Sequence, residues 1–198
     1  MTVKQGFDTA KFYYGFPVFI LGYKDEQHLY NITTCSSSYS LGDMVVVGMF
    51  QGSNAAEQIA KFGEFTLNLT TVEQGYLMEK AGFLHKREKI NLLNAEIIPA
   101  ETVDAPSLVA CPITLECRVE RVQSFDGYVN FTARVLKRTV DETLLDDKGN
   151  FKSSEFNPLL YMGDGHERIY RYLERGTSEK LGTFIKKKRE LDRSARLK

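Results

Sequence analysis

Tryptophan is absent from this 198-residue sequence, and cysteine and histidine number only three each. Cys35, Cys111 and Cys117 are too few, and odd in number, for a disulfide framework, which fits a reducing compartment. Cys111 and Cys117 do not form a Cys-x-x-Cys pair, and His28, His85 and His166 are scattered, so no metal is expected. Net charge is missing too: 26 Lys and Arg balance 26 Asp and Glu. Without a positive field the chain is not expected to bind nucleic acid or a membrane surface. No apolar run approaches the ~20 residues that span a bilayer. The start, MTVKQGFDTAKFYYGF, lacks the basic-then-apolar plan of a secretory leader. These absences together predict a cytoplasmic protein.

Aromatic residues are plentiful, with 13 Phe and 10 Tyr, and such composition with many short apolar runs leans toward β structure. The length suits one domain over residues 1–198 with an adequate core. Phe16 to Tyr23 is a continuous apolar run that predicts a buried strand, followed by a turn at Lys24-Asp25-Glu26. Tyr30 to Leu41 predicts a strand leading into a loop, and Met44 to Phe50 another buried strand. Ser53 or Asn54 caps a predicted helix over Ala55–Phe62, which Gly63 ends. Phe65–Leu69 predicts a strand. Thr70 and Glu73 form a capping-box pattern opening a helix to about Ala81, with Gly82 at its end. Lys86 to Glu101 is amphipathic and ambiguous. Ile113–Val119 and Val129–Val135 alternate strictly around Asp126-Gly127, predicting a hairpin with one wet face. Residues 146–150 and 163–166 predict turns. The basic run from Lys180 to Lys198 predicts a partly helical tail. Short strands separated by turn signals close most naturally into a Greek-key barrel, because closure removes exposed edges.

The stretch Asn31–Ser40 carries most of the chemistry. Thr33, Thr34, Ser36, Ser37, Ser38 and Ser40 crowd into it, offering hydroxyls and backbone N–H groups to an acceptor-rich ligand; a polar surface loop is the plainer alternative. One strand later, the helix start at Gly52-Ser53-Asn54-Ala55 supplies N–H groups and a dipole that suit a phosphate. A strand advances ~3.3 Å per residue, so both ends lie within reach of one extended ligand.

In this region the sequence resembles the flavin reductase-like family, especially its flavoredoxin-like branch. The resemblance rests on Tyr14-Gly15-Phe16-Pro17-Val18, on Asn31 with Thr34-Cys35-Ser36-Ser37, and on Ser40-Leu41-Gly42-Asp43. It continues through Ser53-Asn54-Ala55-Ala56-Glu57-Gln58-Ile59 and Gly63-Glu64-Phe65-Thr66-Leu67-Asn68. A second block is Ala105-Pro106 with Cys111-Pro112-Ile113-Thr114-Leu115-Glu116-Cys117. The ordered set, not any single piece, is specific.

The resemblance implies a mostly β, six-stranded FMN-binding split barrel that forms a homodimer. It implies that the flavin ring rests against Thr34 to Ser37 and Ser40-Leu41, and that the phosphate lies near Ser53 to Ala55; Asn31, Thr33 and Gly52 complete the expected cofactor-binding residues. Family members often carry Lys and Thr at this helix start; Ser53, Asn54 and Ala55 stand here, so the counter-charge falls to Lys61, Lys86 or Arg87. Many members also carry Gly-Asp-His before the strand matching Val129–Val135, with that His associated with the nicotinamide donor. Tyr128 takes the His position here. Three functions follow: an NAD(P)H-dependent flavin reductase, a flavoredoxin-like electron carrier reduced by a protein partner, or a module that binds flavin or haem without catalysis. No catalytic residue is assigned. Cys35 reads as packing rather than redox-active, Glu116 as an exposed strand acid or a structural pair, and Tyr161, Tyr170 and Tyr172 as packing or as a cover for a flavin.

Overall fold

A computed structural model describes residues 3–85, 87–173 and 178–196. In chain order the elements are β1 (Phe12–Pro17), β2 (Phe19–Asp25), β3 (Leu29–Cys35), β4 (Ser37–Leu41), β5 (Met44–Phe50) and α1 (Asn54–Phe62). Then come β6 (Glu64–Leu69), α2 (Gly75–Phe83), β7 (Ile97–Pro99), β8 (Pro106–Leu108), β9 (Ile113–Phe125) and β10 (Tyr128–Val140). The chain ends with β11 (Leu160–Asp164), β12 (Arg168–Arg171) and α3 (Thr183–Arg196).

The main sheet has seven strands in the order β3-β2-β6-β9-β10-β5-β4, all paired antiparallel. Its two edge strands, β3 and β4, are separated in sequence by Ser36 alone. Consecutive Cα atoms lie ~3.8 Å apart, so the sheet must curl until its edges meet at that corner. The result is a mostly β split barrel with few helices. The seventh strand is β4, in a stretch that the sequence suggests is loop. Its serines hide a strand because their side chains carry no in–out contrast; pairing with β5, Ser38 to Val47 and Ser40 to Val45, supplies the order.

The barrel interior packs Phe19, Leu21, Tyr23, Val45, Val47, Phe65, Leu67 and Phe131. A second cluster, with Val18, Ile20, Ile32, Met78 and Ala81, lies on the other face of β2 beneath α2. β2 is therefore covered on both faces, which is why its sequence reads as unbroken apolar residues rather than alternation. Tight approach also shapes this strand. A Cβ on Gly22 would sit 2.1 Å from the Pro106 carbonyl oxygen of β8, so only glycine fits.

The hairpin of β9 and β10 forms where expected, with φ 44° at Asp126 and 78° at Gly127. Both strands extend well beyond the alternating stretches, because register shifts at Thr132/Ala133 and Val135/Lys137 reset the alternation. Its second face is not wet throughout. Thr114 and Glu116 are buried, and Glu116 accepts from the Thr102 backbone N–H and hydroxyl, each at 2.6 Å. Of the two expectations for Glu116, an exposed strand acid or a structural pair, the structural one holds: it anchors the 101–104 loop.

Other boundaries move slightly. The capping box shifts one residue, to Thr71 and Gln74, where the Thr71 N–H donates to Gln74 Oε1 at 2.9 Å. Thr70 is buried and donates to the Val18 carbonyl at 2.9 Å. The ambiguous Lys86–Glu101 stretch forms turns and the short β7, with no helix among its described residues. The basic tail is helical as α3, and Leu197 and Lys198 lie outside the described residues.

Candidate functional site

A cavity of about 430 Å³ opens between β3, the start of α1 and the segment after α2. Asn31, Thr33, Thr34 and Cys35 form one wall from β3. Gly52, Ser53, Asn54 and Ala55 form the facing wall, at the α1 N-terminus. The two motifs read as a ligand site from sequence thus meet around one space. Ser36, Ser37, Ser40 and Leu41 do not line it: Ser36 is the crossing between the sheet edges, and Leu41 is exposed on β4.

The helix wall is built by ordinary capping. Ser53 is extended at φ −82°, and its Oγ accepts from the Ala56 N–H at 3.2 Å. The first N–H groups of a helix have no partner within it. Those of Asn54 and Ala55 remain at the cavity wall, with the positive end of the helix dipole behind them.

Beneath the walls lies a buried polar network that the sequence reading missed. Asp25, read as part of a turn, is 3% exposed. Its carboxylate accepts from Asn54 Nδ2 at 2.8 Å and Asn31 Nδ2 at 3.1 Å. It also accepts from the Gln27 and His28 N–H groups at 2.9 and 3.2 Å. Burial pushes its carboxyl up, but these bonds, Asn54 and Asn31 first, outweigh burial and hold it below the ordinary value. Asp25 therefore locks β3 to α1. An Asp followed by two residues whose N–H groups it can cap is the signal available in sequence. Tyr23 sits alongside, its phenol pushed up to about 12 by burial.

Asn31 is consumed in holding the third wall. Its amide donates to the Arg87 carbonyl at 3.0 Å and accepts from the Lys89 N–H at 3.2 Å. His85, Arg87 and Lys89 line the cavity, and no Asp or Glu among the described residues does. Lys89 is 5% exposed as a residue. Its Nζ donates to the Ala81 carbonyl at 2.7 Å and to Thr33 Oγ1 at 3.3 Å. Burial brings its ammonium down to about 8. Of the expected counter-charges, Arg87 is at the cavity, Lys61 is paired with Glu26 at 2.7 Å outside it, and Lys86 lies outside the described residues.

The hydroxyls are largely engaged. Thr34 donates to the Met78 carbonyl. Cys35 Sγ donates to the Gly48 carbonyl at 3.2 Å, and burial pushes its thiol up, so it is no thiolate. At the rim, Phe50 lines the cavity and packs edge-on against Tyr128 at 6.5 Å. No group of three or more potential metal ligands occurs among the described residues, and no helix of these is long and apolar enough to cross a membrane.

This cavity suits an elongated anionic ligand with a polar, partly aromatic body. Comparison with known proteins places the chain in a family. Residues 12–170 match the family model described as the flavin reductase like domain. The chain is 26% identical over 168 residues to the uncharacterized protein YdfE of Bacillus subtilis (strain 168), covering 75% of this chain and 81% of that one. In fold it is similar to the flavoredoxin of Desulfovibrio vulgaris (Miyazaki F), with a TM-score of 0.80 and 19% identity over 92% of this chain and 100% of that chain. It is also similar to the FMN-binding protein of Thermus thermophilus with bound 1-cyclohex-2-enone, with a TM-score of 0.73 and 20% identity over 91% and 99% of the two chains. With the domain match covering most of its length, the chain belongs to the flavin reductase-like family.

Proposed function

We propose that the cavity holds FMN and that the protein is an FMN-dependent oxidoreductase that reduces flavin with NADH or NADPH. The observation that carries this is the cavity wall itself, where a helix N-terminus, Arg87 and Lys89 converge with no carboxylate among the described lining residues. Membership of the flavin reductase-like family supports a flavin ligand, and the Thermus neighbour is named an FMN-binding protein.

The residues fit such a ligand. Asn54 and Ala55 present N–H groups suited to phosphate oxygens, and Arg87 and Lys89 supply the counter-charge that the helix start itself lacks. Thr33, Thr34 and Cys35 set the shape of the β3 wall, and Lys89 stands where it can donate to an anionic or carbonyl edge. Asp25 and Asn31 touch no ligand in this scheme; they hold the walls in register. A flavin bound there supplies hydride and one-electron chemistry, while the chain orients it and limits its access to water.

Dimerisation belongs to the same reading. Tyr39 and Leu41 on β4 are 58% and 70% exposed. Ser40 and Leu41 would reach a flavin only across an interface with a second copy. A cytoplasmic location and a single domain over 1–198 complete the proposal.

Tyr128, standing at the position of the expected His, favours a second reading: an electron carrier reduced by a protein partner. Anaerobic titration of FMN-loaded protein with NADH and then NADPH separates the two. Rapid loss of flavin absorbance is the expected result; a bound flavin that stays oxidised contradicts direct reduction and favours the carrier.

A further inference from the structure

Outside the cavity, the three-stranded sheet β1-β11-β12 presents an unusual face. Register places Tyr13 opposite Gly163, Gly163 opposite Arg168, and Tyr161 opposite Tyr170. Directly opposed residues point to the same side of a sheet, and so do residues two apart on one strand. Tyr13, Tyr161, Arg168 and Tyr170 therefore share one face, with Gly163 at its centre. The rings are packed: Tyr13 and Tyr161 lie 4.8 Å apart, and Tyr161 and Tyr170 5.8 Å. Gly163 has φ 125° and room for no Cβ, which would fall 2.1 Å from the Glu167 carbonyl oxygen. Gly163 thus lets the β12 backbone at Glu167 and Arg168 approach β11 closely, which seats Arg168 beside Tyr13 and Tyr161.

Arg168 is exposed, and the Tyr161 hydroxyl close by is the main influence that raises its guanidinium. No acid pairs with it among the described residues, although eight other cations among them have such partners. The face lies beside α2: Tyr161 packs against the cluster that holds Met78 and Ala81, and the next residue, Gly82, lines the cavity. Burial and then Tyr161 push the Tyr13 phenol up, with Arg168 opposing and Tyr128 adding to the rise, so Tyr128 lies near this face. Tyr128 in turn packs on Phe50 of the cavity wall. On the other side, Tyr170 feels Glu79 of α2, whose C-terminal Gly82 also lines the cavity.

Resting on the flavin reading above, we propose that Arg168, framed by Tyr13 and Tyr161 over Gly163, is the docking point for a phosphate of the nicotinamide nucleotide that reduces the bound flavin. Guanidinium takes phosphate oxygens in a forked geometry, while the flanking rings suit planar bases by stacking. The dinucleotide's phosphate would lie on the small sheet and its reactive ring would reach past Phe50 and Tyr128 into the cavity.

The test uses Arg168→Met and Arg168→Lys in the full chain. FMN affinity is measured first, by quenching of flavin fluorescence. Anaerobic reduction is then followed with NADH, with NADPH, and with a phosphate-free N-alkyl dihydronicotinamide. The expected result is unchanged FMN affinity, about tenfold loss in apparent affinity for the dinucleotides in Arg168→Met, partial recovery in Arg168→Lys, and no change with the phosphate-free donor. An equal loss with NADH and NADPH assigns the contact to the shared diphosphate; a larger loss with NADPH assigns it to the 2′-phosphate. Equal slowing with the phosphate-free donor, or no change with either dinucleotide, overturns the proposal. A wild type that binds FMN but is reduced by neither dinucleotide also overturns it, and leaves the flavin site standing. Failure of the wild type to bind FMN removes both.

Discussion

Lys89 shows how a single side chain can be costly to the fold and useful to the site. Its ammonium is buried against the Ala81 carbonyl and Thr33, and burial alone brings it down to about 8 from an ordinary 10.5. Between about pH 8 and 10.5 the unfolded chain then binds more protons at this residue than the folded one. Stability without ligand therefore rises with pH across that window as far as Lys89 is concerned. Ligand binding runs the other way, because an anion is held best while the amine is charged. Affinity for FMN is expected to fall as pH rises through about 8, and Lys89→Met is expected to lose that limb and bind about tenfold more weakly at pH 7. A titration of FMN fluorescence across pH 6.5–9.5 checks this; a variant with wild-type affinity and pH profile would place Lys89 outside the site. Neither Lys89 nor Asp25 was legible in the sequence. Lys89 sits in the run Lys86-Arg87-Glu88-Lys89, which reads as a solvated charge cluster, and its burial is decided by the distant Asn31. By contrast Thr33, Thr34 and Ser53–Ala55 were legible as ligand-facing candidates, because hydroxyl-rich strands and helix starts advertise their donors locally.

Elements were legible wherever local pattern and tertiary environment agreed. Ser53 and Gly63 bracket α1 as expected, and Asp126-Gly127 turns the β9–β10 hairpin. Disagreement arose where a distant segment changed the environment. Glu116 and Thr114 look solvent-facing until Thr102 of the 101–108 segment donates to the one and Asn68 of β6 accepts from the other. The same segment makes Gly22 indispensable: any side chain there meets the Pro106 carbonyl, which also accepts from Thr66. Gly22→Ala is expected to destabilise by about 2–3 kcal/mol, lowering the melting temperature by roughly 5–10 °C for a chain of this size. Thermal melting followed by circular dichroism measures it, and an unchanged midpoint would mean that β8 does not press on β2 as described.

For the whole molecule, the decisive feature is the closure at Ser36, which joins opposite edges of one sheet and brings the β3 wall against α1. Alternation reveals strands but not which edges meet, so proximity in sequence could pair the two motifs as one ligand site, while the cavity between them was visible only once the sheet was closed. β4 remains an edge with Tyr39 and Leu41 exposed, and exposed edges invite pairing unless a partner covers them. Leu41→Glu is expected to convert a dimer to monomer in light scattering, with FMN affinity reduced if the second copy completes the ring site. A wild type that is already monomeric at micromolar concentration would contradict the dimer.

In the function proposed above, the wall formed by α1, Arg87 and Lys89 holds the phosphate of FMN. The most direct test of this is equilibrium titration of the wild-type protein with FMN and, in parallel, with riboflavin, which carries the same ring and no phosphate. Saturable quenching by FMN, with riboflavin binding at least about tenfold more weakly, is the expected outcome. Equal affinity for the two, or no binding of either, would contradict the assignment of this cavity.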